Sequence, residues 1–293
     1  MSLLGCIVNV IFAVIVAPLL DGLERKVKAK IQTRQGPPLV QTWFDLIKLF
    51  KRPSVTPSES IGWLFRLGPP IALASILTAF FFVPAVLPDS MKFWGDMIAF
   101  IYLMTLSTVA VTLGGFSSGN PYAQIGSHRE VSLFMAEEFS LAFVIAALSV
   151  SVKSFTLLSL FPLPLKASAL IGALLFAVLA YVSGARVPFD VSEAEPEIVE
   201  GPLIEYSGRQ LALLKLSIYT KRLLLFTVFL NFFLRGSPAS RAIYYVIGLI
   251  ILSVIYSAIE ASCGRFRTKD AVRFLKRFSI LGALCWLLAI MGW

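Results

Sequence analysis

The stretch ARVPFDVSEAEPEIVEGPLIEYSGR, at positions 185–209, separates two long apolar runs at 166–184 and 210–234. It carries an unusual density of carboxylates for a chain whose net charge is +9. The acids are Asp190, Glu193, Glu195, Glu197, Glu200 and Glu205. Folding of so apolar a chain does not require such a segment. We therefore interpret this stretch, called the acidic loop below, as the mouth of a charge pathway.

The composition places the chain in the membrane class. Of its 293 residues 57% are hydrophobic and only 15% are charged, whereas soluble domains are closer to one quarter charged. Apolar runs of about 18 or more residues recur, and a lipid-exposed backbone must be helical to satisfy its own hydrogen bonds. We predict an all-α, polytopic fold in one integral membrane domain over 1–293. The eight predicted spans are 3–20, 67–87, 96–115, 131–152, 166–184, 210–234, 242–262 and 278–293.

The distribution of basic residues predicts an orientation. Nine Lys and Arg residues lie within 21–66 and six within 265–277, and such loops stay on the cytoplasmic side. The predicted cytoplasmic loops are about 21–66, 116–130, 185–209 and 264–277. Both termini are then expected on the outer side of the cell membrane.

The segment WFDLIKLFK at 43–51 is amphipathic. Helical spacing places Trp43, Leu46, Ile47 and Phe50 on one face. Two arrangements stay open for it: an interfacial helix in the membrane plane, or a loop helix packed on the spans.

Charges inside the predicted spans are functional candidates, because a charge within the bilayer is costly. The fourth span contains Glu137 and Glu138, of which we favour Glu138, with hydration near the interface as the alternative. The sixth contains Lys215, Lys221 and Arg222. A buried lysine changes its protonation readily, which favours a proton relay at Lys221.

Two simpler alternatives concern the remaining charges. The side chain of Arg222 could instead extend toward the outer interface, with its aliphatic stem in lipid. The same alternative applies less strongly to Lys221. At the end of the seventh span, Glu260 is expected to pair with Arg265.

Few residues are available to hold a redox metal. The chain has three cysteines, Cys6, Cys263 and Cys285, in separate spans, and one histidine, His128. Iron–sulfur clusters require about four thiolates, and haem or zinc requires His or Cys sets. We expect no cofactor bound by this chain.

Two motifs resemble one family. The string PFDVSEAEPEIVEGPLIEYSG at 188–208 is similar to the signature of the NADH dehydrogenase subunit 1 family of respiratory complex I, which includes the mitochondrial subunit and its bacterial counterpart in NADH–quinone oxidoreductase. The string ERKVKAKIQTRQGPP at 24–38 resembles the first cytoplasmic loop of the same family, and the resemblance covers nearly the whole chain. A short PPLVQTW segment, together with the basic residues of the sixth span, is closer to the membrane anchors of energy-converting nickel–iron hydrogenases and formate hydrogenlyases. These departures weigh against quinone binding.

The resemblance implies a subunit of a multi-subunit oxidoreductase of the hydrogenase class, with ion pumping coupled to electron transfer. Implied partners are hydrogenase large and small subunits, a ferredoxin-like iron–sulfur subunit and antiporter-like membrane subunits. Those partners would hold the nickel–iron centre and the iron–sulfur clusters. The proton or ion pathway is expected to involve Glu138, Asp190, Glu193, Glu195, Glu197, Glu200, Glu205, Lys215 and Lys221. The interface with the peripheral arm is expected to involve Arg25, Arg34, Arg129, Arg186 and Tyr206.

Physical reasoning adds a mechanism to this picture. Clustered carboxylates repel one another, so some would have raised pKa values and exchange protons near neutral pH. Replacing Glu138 or Glu205 with Gln is then expected to abolish pumping.

Four alternatives stay open: a quinone-reducing subunit, which needs a long apolar tunnel near the first loop; the anchor of a related sulfur-reducing complex; a stand-alone transporter; and a passive anchor. The moving ion, a proton or sodium, also stays open.

Overall fold

The computed structural model describes residues 3–93, 95–192 and 195–292, and of positions 195 and 196 only the backbone. These described residues form helices and connecting turns without any strand. The helices are α1 (Leu3–Ile31), α2 (Gln41–Lys51), α3 (Gly62–Phe80), α4 (Asp96–Phe116), α5 (Pro121–Val152), α6 (Ala167–Ser183), α7 (Glu195–Ile198), α8 (Gly208–Asn231), α9 (Pro238–Ser262) and α10 (Thr268–Ile290). In its described residues, the acidic loop contains the short α7, a 3-10 turn at Gly201–Leu203 and the first two residues of α8.

The long helices match the predicted spans one by one. Five of them, α1, α3, α4, α5 and α9, are long and apolar enough to cross a membrane. Helix α6 is apolar but has 17 residues, while α8 and α10 have the length but carry several charges. The prediction of an all-α polytopic membrane protein is confirmed.

Helices extend into three of the predicted cytoplasmic loops. Helix α1 continues to Ile31 instead of ending at Leu20, α5 begins at Pro121 and α10 begins at Thr268. Much of 21–66, 116–130 and 264–277 is therefore helical. A charged residue ends an apolar window, but it does not end a helix whose charges find partners within the protein.

The start of α5 shows which signal was available. Asn120 is the N-cap, and its side chain accepts a hydrogen bond from the backbone of Tyr122 at 2.8 Å, with Pro121 at the first helical position. This Asn-Pro pair is a standard helix start.

Helix α2 combines features of both arrangements expected for it. Thr42 and Leu46 are buried, and the Thr42 hydroxyl donates to Asp21 of α1 at 2.9 Å. Phe44, Ile47 and Phe50 are exposed. Leu46, Ile47 and Phe50 share a face of this helix as expected, but Leu46 is the buried member of the three, because the packed side is centred on Thr42 and Leu46.

The acidic loop lies at the same end of the bundle as the segment that follows α1. Arg209 donates to the backbone carbonyl of Phe50 at 3.3 Å, and the backbone of Phe266 donates to Pro188 at 3.0 Å. Connections between α1 and α3, α6 and α8, and α9 and α10 therefore meet, which brings charged side chains from distant parts of the sequence together.

Candidate functional site

The described acids of the acidic loop do not form one cluster. Each has its own partner. The pairs are Asp190 with Arg265 at 2.7 Å, Glu197 with Arg129 at 2.5 Å, Glu200 with Lys215 at 3.7 Å and Glu205 with Asn120 at 2.5 Å. The expected mutual repulsion is therefore wrong for these four acids. Glu193 and the side chain of Glu195 lie outside the described residues.

Asp190 is the loop acid with an incomplete set of partners. Its Oδ2 accepts a hydrogen bond from Arg265, but its buried Oδ1 has no partner among the described residues. Burial raises the pKa of Asp190, and the Arg265 guanidinium opposes that rise. A carboxyl in this position holds its proton at higher pH than an exposed aspartate does.

A cavity of about 330 Å³ opens beside Asp190, and we call it the charged cavity. Most of its lining side chains are ionisable. The lining residues are Asp21, Arg25, Asp190, Glu200, Leu203, Lys215, Ile218, Tyr219, Arg222 and Arg265. Lys215 and Arg222 are seven residues apart on α8, and both line this space.

Arg222 points to the acidic-loop end of the bundle. Its guanidinium donates to the backbone carbonyls of Gly184 at 2.7 Å and Ala185 at 3.3 Å. It also lies 3.7 Å from Asp21. The alternative in which Arg222 extends to the opposite interface is wrong, because these acceptors hold it at the near end.

A second group, the Arg186 cluster, consists of Glu24, Lys28, Arg186 and Glu260. The fully buried guanidinium donates to both carboxylate oxygens of Glu24, at 2.8 and 2.6 Å. Glu260 lies 3.5 Å from Arg186 and 2.6 Å from Lys28. The rings of Phe226 and Tyr256 cover the guanidinium at 5.3 and 5.6 Å, in the range of a cation–π contact.

The Arg186 cluster corrects two sequence predictions. Glu260 was expected to pair with Arg265, but Arg265 is occupied by Asp190 and Glu260 by Lys28 and Arg186. Arg186 was expected at the interface with a peripheral arm, but its side chain has no exposed surface. It joins α1, α9 and the acidic loop from inside.

The other predicted interface residues differ in exposure. Tyr206 is buried, stacked on Phe65 with 4.1 Å between the ring centroids, and its hydroxyl donates to the Phe65 carbonyl. Gly114 makes room for that hydroxyl, since a Cβ there would lie 2.1 Å from it. Tyr206 is therefore a packing residue, which corrects its expected exposure. Three predicted interface residues are at least partly exposed: Arg25, Arg34 and Arg129.

A third group lies deeper in the bundle, between α4, α5, α6 and α8. We call it the Lys221 pocket: Thr108, Glu137, Glu138, Ser183 and Lys221. The Lys221 ammonium donates to the Thr108 hydroxyl at 3.0 Å, and no described carboxylate lies within 4.0 Å of it.

The two glutamates of this pocket also have hydroxyl partners. Glu138 accepts from Thr105 at 2.6 Å, and Ser183 provides a hydrogen bond to Glu137. The charges here are therefore held by neutral groups.

Small cavities lie between the Lys221 pocket and the charged cavity. A cavity of about 50 Å³ shares Ile218 with the charged cavity. A cavity of about 10 Å³ shares Thr108, Ser183 and Lys221 with the cavity of about 50 Å³ and contains both glutamates in its wall. Spaces of this size hold about one to a few waters. We call the series the cavity string, and Lys221 is at its inner junction.

The structure brings together part of the predicted pathway. Glu138, Asp190, Glu200, Lys215 and Lys221 line the cavity string. Glu205 lines a separate open cleft of about 320 Å³, and Glu197 pairs with Arg129. Neither of these two borders the cavity string.

Sequence reasoning missed several residues of these groups. Asp21 and Glu24 follow the apolar window of α1 and were treated as part of a loop. Their spacing with Lys28, at i, i+3 and i+7, is helical and was the available signal. Glu137 was set below Glu138, but both border the same cavity. The hydroxyls of Thr108 and Ser183 carry no distinctive sequence signal.

Comparison with known proteins covers nearly the whole chain. The family model described as NADH dehydrogenase matches residues 4–291. Hydrogenase-4 component C of Escherichia coli (strain K12) is 30% identical over 296 residues, which cover 97% of this chain and 92% of the relative. Formate hydrogenlyase subunit 4 of the same organism is 30% identical, with 90% and 87% covered. NADH-ubiquinone oxidoreductase chain 1 of Oncorhynchus mykiss is 33% identical, with 90% and 85% covered.

One solved structure shares the fold throughout. A chain in the structure of the membrane-bound sulfane sulfur reductase, an archaeal respiratory membrane complex, superposes with a TM-score of 0.88. The match covers 98% of each chain at 24% sequence identity. At this identity the similarity establishes the fold and leaves the chemistry open.

Proposed function

Because this chain belongs to the NADH dehydrogenase family, we propose that it is the membrane-anchor and coupling subunit of an ion-translocating, membrane-bound hydrogenase complex. As a member of that family it is a multi-pass membrane subunit of a multi-subunit oxidoreductase. In the proposal, electrons pass through a peripheral nickel–iron and iron–sulfur arm at the acidic-loop end. This chain passes the effect of that chemistry to ion movement in the membrane.

The observation that carries the proposal is the cavity string. It links the charged cavity, at the end where the loops meet, with Glu137 and Glu138 inside the bundle. Ionisable residues within a membrane are expensive, and where they line a hydrated space they mark ion or proton routes. A passive anchor has no need for such a route, so the string favours a coupling role.

The position of Lys221 supports a relay between the two ends. Its ammonium lines both small cavities and is held by one hydroxyl. A charge change in the charged cavity alters the electrostatic potential at Lys221, because interactions in a low-dielectric interior are weakly screened. Glu137 and Glu138, in the wall of the inner cavity, are then the groups that gain or release the ion.

The partners remain part of the proposal. They are hydrogenase large and small subunits, a ferredoxin-like iron–sulfur subunit and antiporter-like membrane subunits. The relatives named hydrogenase-4 component C and formate hydrogenlyase subunit 4 support this choice. Arg34 supplies exposed positive charge for docking of the peripheral arm, and Arg129 is partly exposed and paired with Glu197.

The chemistry of the charged cavity weighs against the quinone alternative. Ligand pockets for largely apolar molecules are lined mostly by apolar and aromatic side chains. Here seven of the ten lining residues have an acidic or basic side chain: Asp21, Arg25, Asp190, Glu200, Lys215, Arg222 and Arg265. A quinone tail would displace water from these groups without replacing their hydrogen bonds.

The alternative of a sulfur-reducing complex is favoured by one observation, the shared fold with a sulfane sulfur reductase chain. The purified complex distinguishes the two branches directly. Supplied with reduced ferredoxin, a hydrogenase complex evolves hydrogen from protons, whereas a sulfur-reducing complex forms sulfide from polysulfide. Sulfide formation without hydrogen evolution would reject the hydrogenase proposal. The proposed coupling role of this chain would still apply, in a sulfur-reducing complex.

The coupling role is tested by Glu138→Gln in the complex reconstituted in liposomes. We expect electron transfer to continue while coupled ion uptake is lost, because the amide cannot exchange a proton. The matched control is Glu59→Gln, an exposed glutamate outside the cavity string, which should retain full uptake. Full coupled uptake in Glu138→Gln would reject the relay. Uptake of ²²Na⁺ compared with acidification of the lumen identifies the ion.

The variant Glu205→Gln distinguishes a pathway through the acidic loop, which the sequence predicts, from a pathway along the cavity string. Mutual repulsion within the acidic loop predicts loss of pumping, whereas the position of Glu205 in a separate cleft predicts retained pumping. Retained uptake with full assembly supports the cavity string as the route.

The proposed orientation places the acidic loop in the cytoplasm of the cell and both termini outside. A native reporter is present, since Cys263 is exposed at the acidic-loop end while Cys6 and Cys285 are buried. A membrane-impermeant maleimide should label Cys263 in inverted vesicles and leave it unlabelled in intact cells. Labelling of Cys263 in intact cells would show that the orientation is the opposite of the proposed one.

A further inference from the structure

Helix α10 has two distinct faces along its whole length. One face is buried against α5 and α6. Its residues are Ala271, Leu275, Phe278, Gly282, Cys285 and Ala289. At about 100° per residue, the exposed residues of the helix fall within a sector of roughly 200° on the opposite side.

The exposed face changes chemistry part of the way along the helix. Its first section is mainly basic, with Lys269, Arg273, Lys276 and Arg277 beside the exposed Asp270 and Phe274. Its second section is apolar, and the side chains there are between 38% and 71% exposed. These are Ile280, Leu281, Leu284, Leu287, Leu288, Ile290 and Met291. In a membrane subunit, an exposed apolar section of this kind faces hydrocarbon, so the adjoining basic section lies at the level of the lipid headgroups.

The lengths fit one lipid leaflet. From Arg277 to Leu288 the helix rises about 16 Å at roughly 1.5 Å per residue. Half of a hydrocarbon core that is about 30 Å thick is about 15 Å. The spacing of Arg277, Leu281, Leu284 and Leu288 follows one stripe of the helix. An acyl chain along the three leucines therefore ends with its phosphate beside Arg277.

The basic charges of α10 are available for a ligand. Lys269, Lys276 and Arg277 form no ion pair with any described residue, and the exposed Arg273 pairs only with Asp270, at 3.3 Å. Other basic residues at this end, including Arg129 and Arg265, are bound to carboxylates of the acidic loop.

We propose that the exposed face of α10, from Lys269 to Leu288, is a binding site for an anionic phospholipid. Its phosphate binds Lys276 and Arg277, and its acyl chain lies along Leu281, Leu284 and Leu288. Arginine is suited to bidentate phosphate contacts, and basic groups at the membrane surface attract anionic lipid by about 1 kcal/mol each. An acidic protein partner matches only the basic section, because the apolar section lies in the bilayer. This inference does not depend on the proposed hydrogenase function.

The test uses the whole complex, delipidated in neutral detergent and titrated with dioleoylphosphatidylglycerol. Bound lipid is counted by native mass spectrometry. In the double variant Lys276→Gln/Arg277→Gln we expect affinity for this site to fall about thirtyfold, from about 1 kcal/mol for each charge and tenfold for each 1.4 kcal/mol. The charge-conserving pair Lys276→Arg/Arg277→Lys should retain most of the binding. Dioleoylphosphatidylcholine should bind weakly to every form.

The control variant is Lys51→Gln/Arg52→Gln, which removes two adjacent exposed basic residues at the end of α2. It should leave the affinity unchanged. Equal losses of lipid affinity in both double variants would show that only the net charge matters, and would overturn the proposed site. Unchanged lipid binding in the α10 variant would also overturn it, as would loss of a protein subunit from that variant with lipid binding intact.

Discussion

The Arg186 cluster and the Lys221 pocket both place ionisable groups inside one bundle, but their partners differ. The first contains the buried pair of Arg186 and Glu24, whereas the ionisable groups of the second are half-buried. In the Arg186 cluster, a guanidinium binds both oxygens of Glu24, and Glu260 bridges it to Lys28. In the Lys221 pocket, the ammonium has a threonine hydroxyl at 3.0 Å, and the two glutamates also rely on hydroxyl partners. The first group pairs its charges with opposite charges, although the buried Arg186 Nε has no partner among the described residues, while the second borders small cavities.

The difference separates structural from mobile charge. A buried ion pair with complete hydrogen bonds is rigid, and removal of one partner leaves the other uncompensated. A charge that is held by hydroxyls, beside space for water, can change partner or protonation at lower cost. The comparison predicts that variants of the first group reduce assembly and stability, whereas variants of the second reduce coupling.

The largest effect is expected for Arg186→Met. Glu24 would then be buried without a cation at bonding distance, and breaking a buried pair costs about 3–5 kcal/mol. The yield of assembled complex and its thermal midpoint in detergent should both fall. The matched control is Arg273→Gln, which removes an exposed pair with Asp270 and should leave the midpoint nearly unchanged.

A double variant sharpens this prediction. Adding Glu24→Gln to Arg186→Met removes the uncompensated carboxylate, so part of the lost stability should return. Equal stability of the wild type and the single Arg186→Met variant would show that the cluster is not a structural element.

The next effect is expected for Lys221→Met, and it should have the opposite character. Removing a buried charge that has no carboxylate at bonding distance relieves a desolvation cost, so the thermal midpoint should stay constant or rise. Coupled ion uptake in liposomes should be lost while electron transfer continues. A variant as unstable as Arg186→Met, with normal coupling where it assembles, would contradict the distinction between the two groups.

A smaller effect is expected for Thr108→Val, which keeps the shape of the side chain and removes the acceptor of Lys221. Hydrogen bonds to charged groups contribute about 1.5–3 kcal/mol. Ion uptake per electron should therefore decrease only in part, with lysine still present. Thr112→Val on the same helix is the control, because the Thr112 hydroxyl bonds to its own helix backbone.

The smallest effect concerns Asp190, at the edge of the charged cavity. Since its pKa is raised in the folded chain, the folded state holds the proton more tightly than the unfolded state. Its contribution to the free energy of unfolding is then greatest below the ordinary value of about 3.9 and is lost as the pH rises through the raised value. A pH series of thermal midpoints should show this slope in the wild type and a flatter one in Asp190→Asn. Identical slopes in the wild type and in Asp190→Asn would show that a group other than Asp190 causes the pH dependence.

The Arg186 cluster and the Lys221 pocket also differ in how well the sequence alone predicts their residues. Lys221 and Glu138 stood out because a charge in an apolar run is rare, so composition alone selects it. Asp21 and Glu24 lie just past an apolar run, where charges are ordinary, and nothing in the local pattern predicts that Arg186, 162 residues after Glu24, binds there. The acidic loop was recognised as a motif, but the pairing of its members with Arg129, Lys215 and Arg265 depends on which loops meet.

By itself the sequence determined the membrane class, the number of long helices and the family, because these depend on hydrophobic run length and on local motifs. The tertiary structure decided which charges meet. It divided the acidic loop among separate partners, buried Arg186 and Tyr206, and placed Lys221 between two cavities. The physical reason is that hydropathy acts over a window of adjacent residues, whereas ion pairs and cavities form between residues that only the packing of the helices brings within a few ångströms.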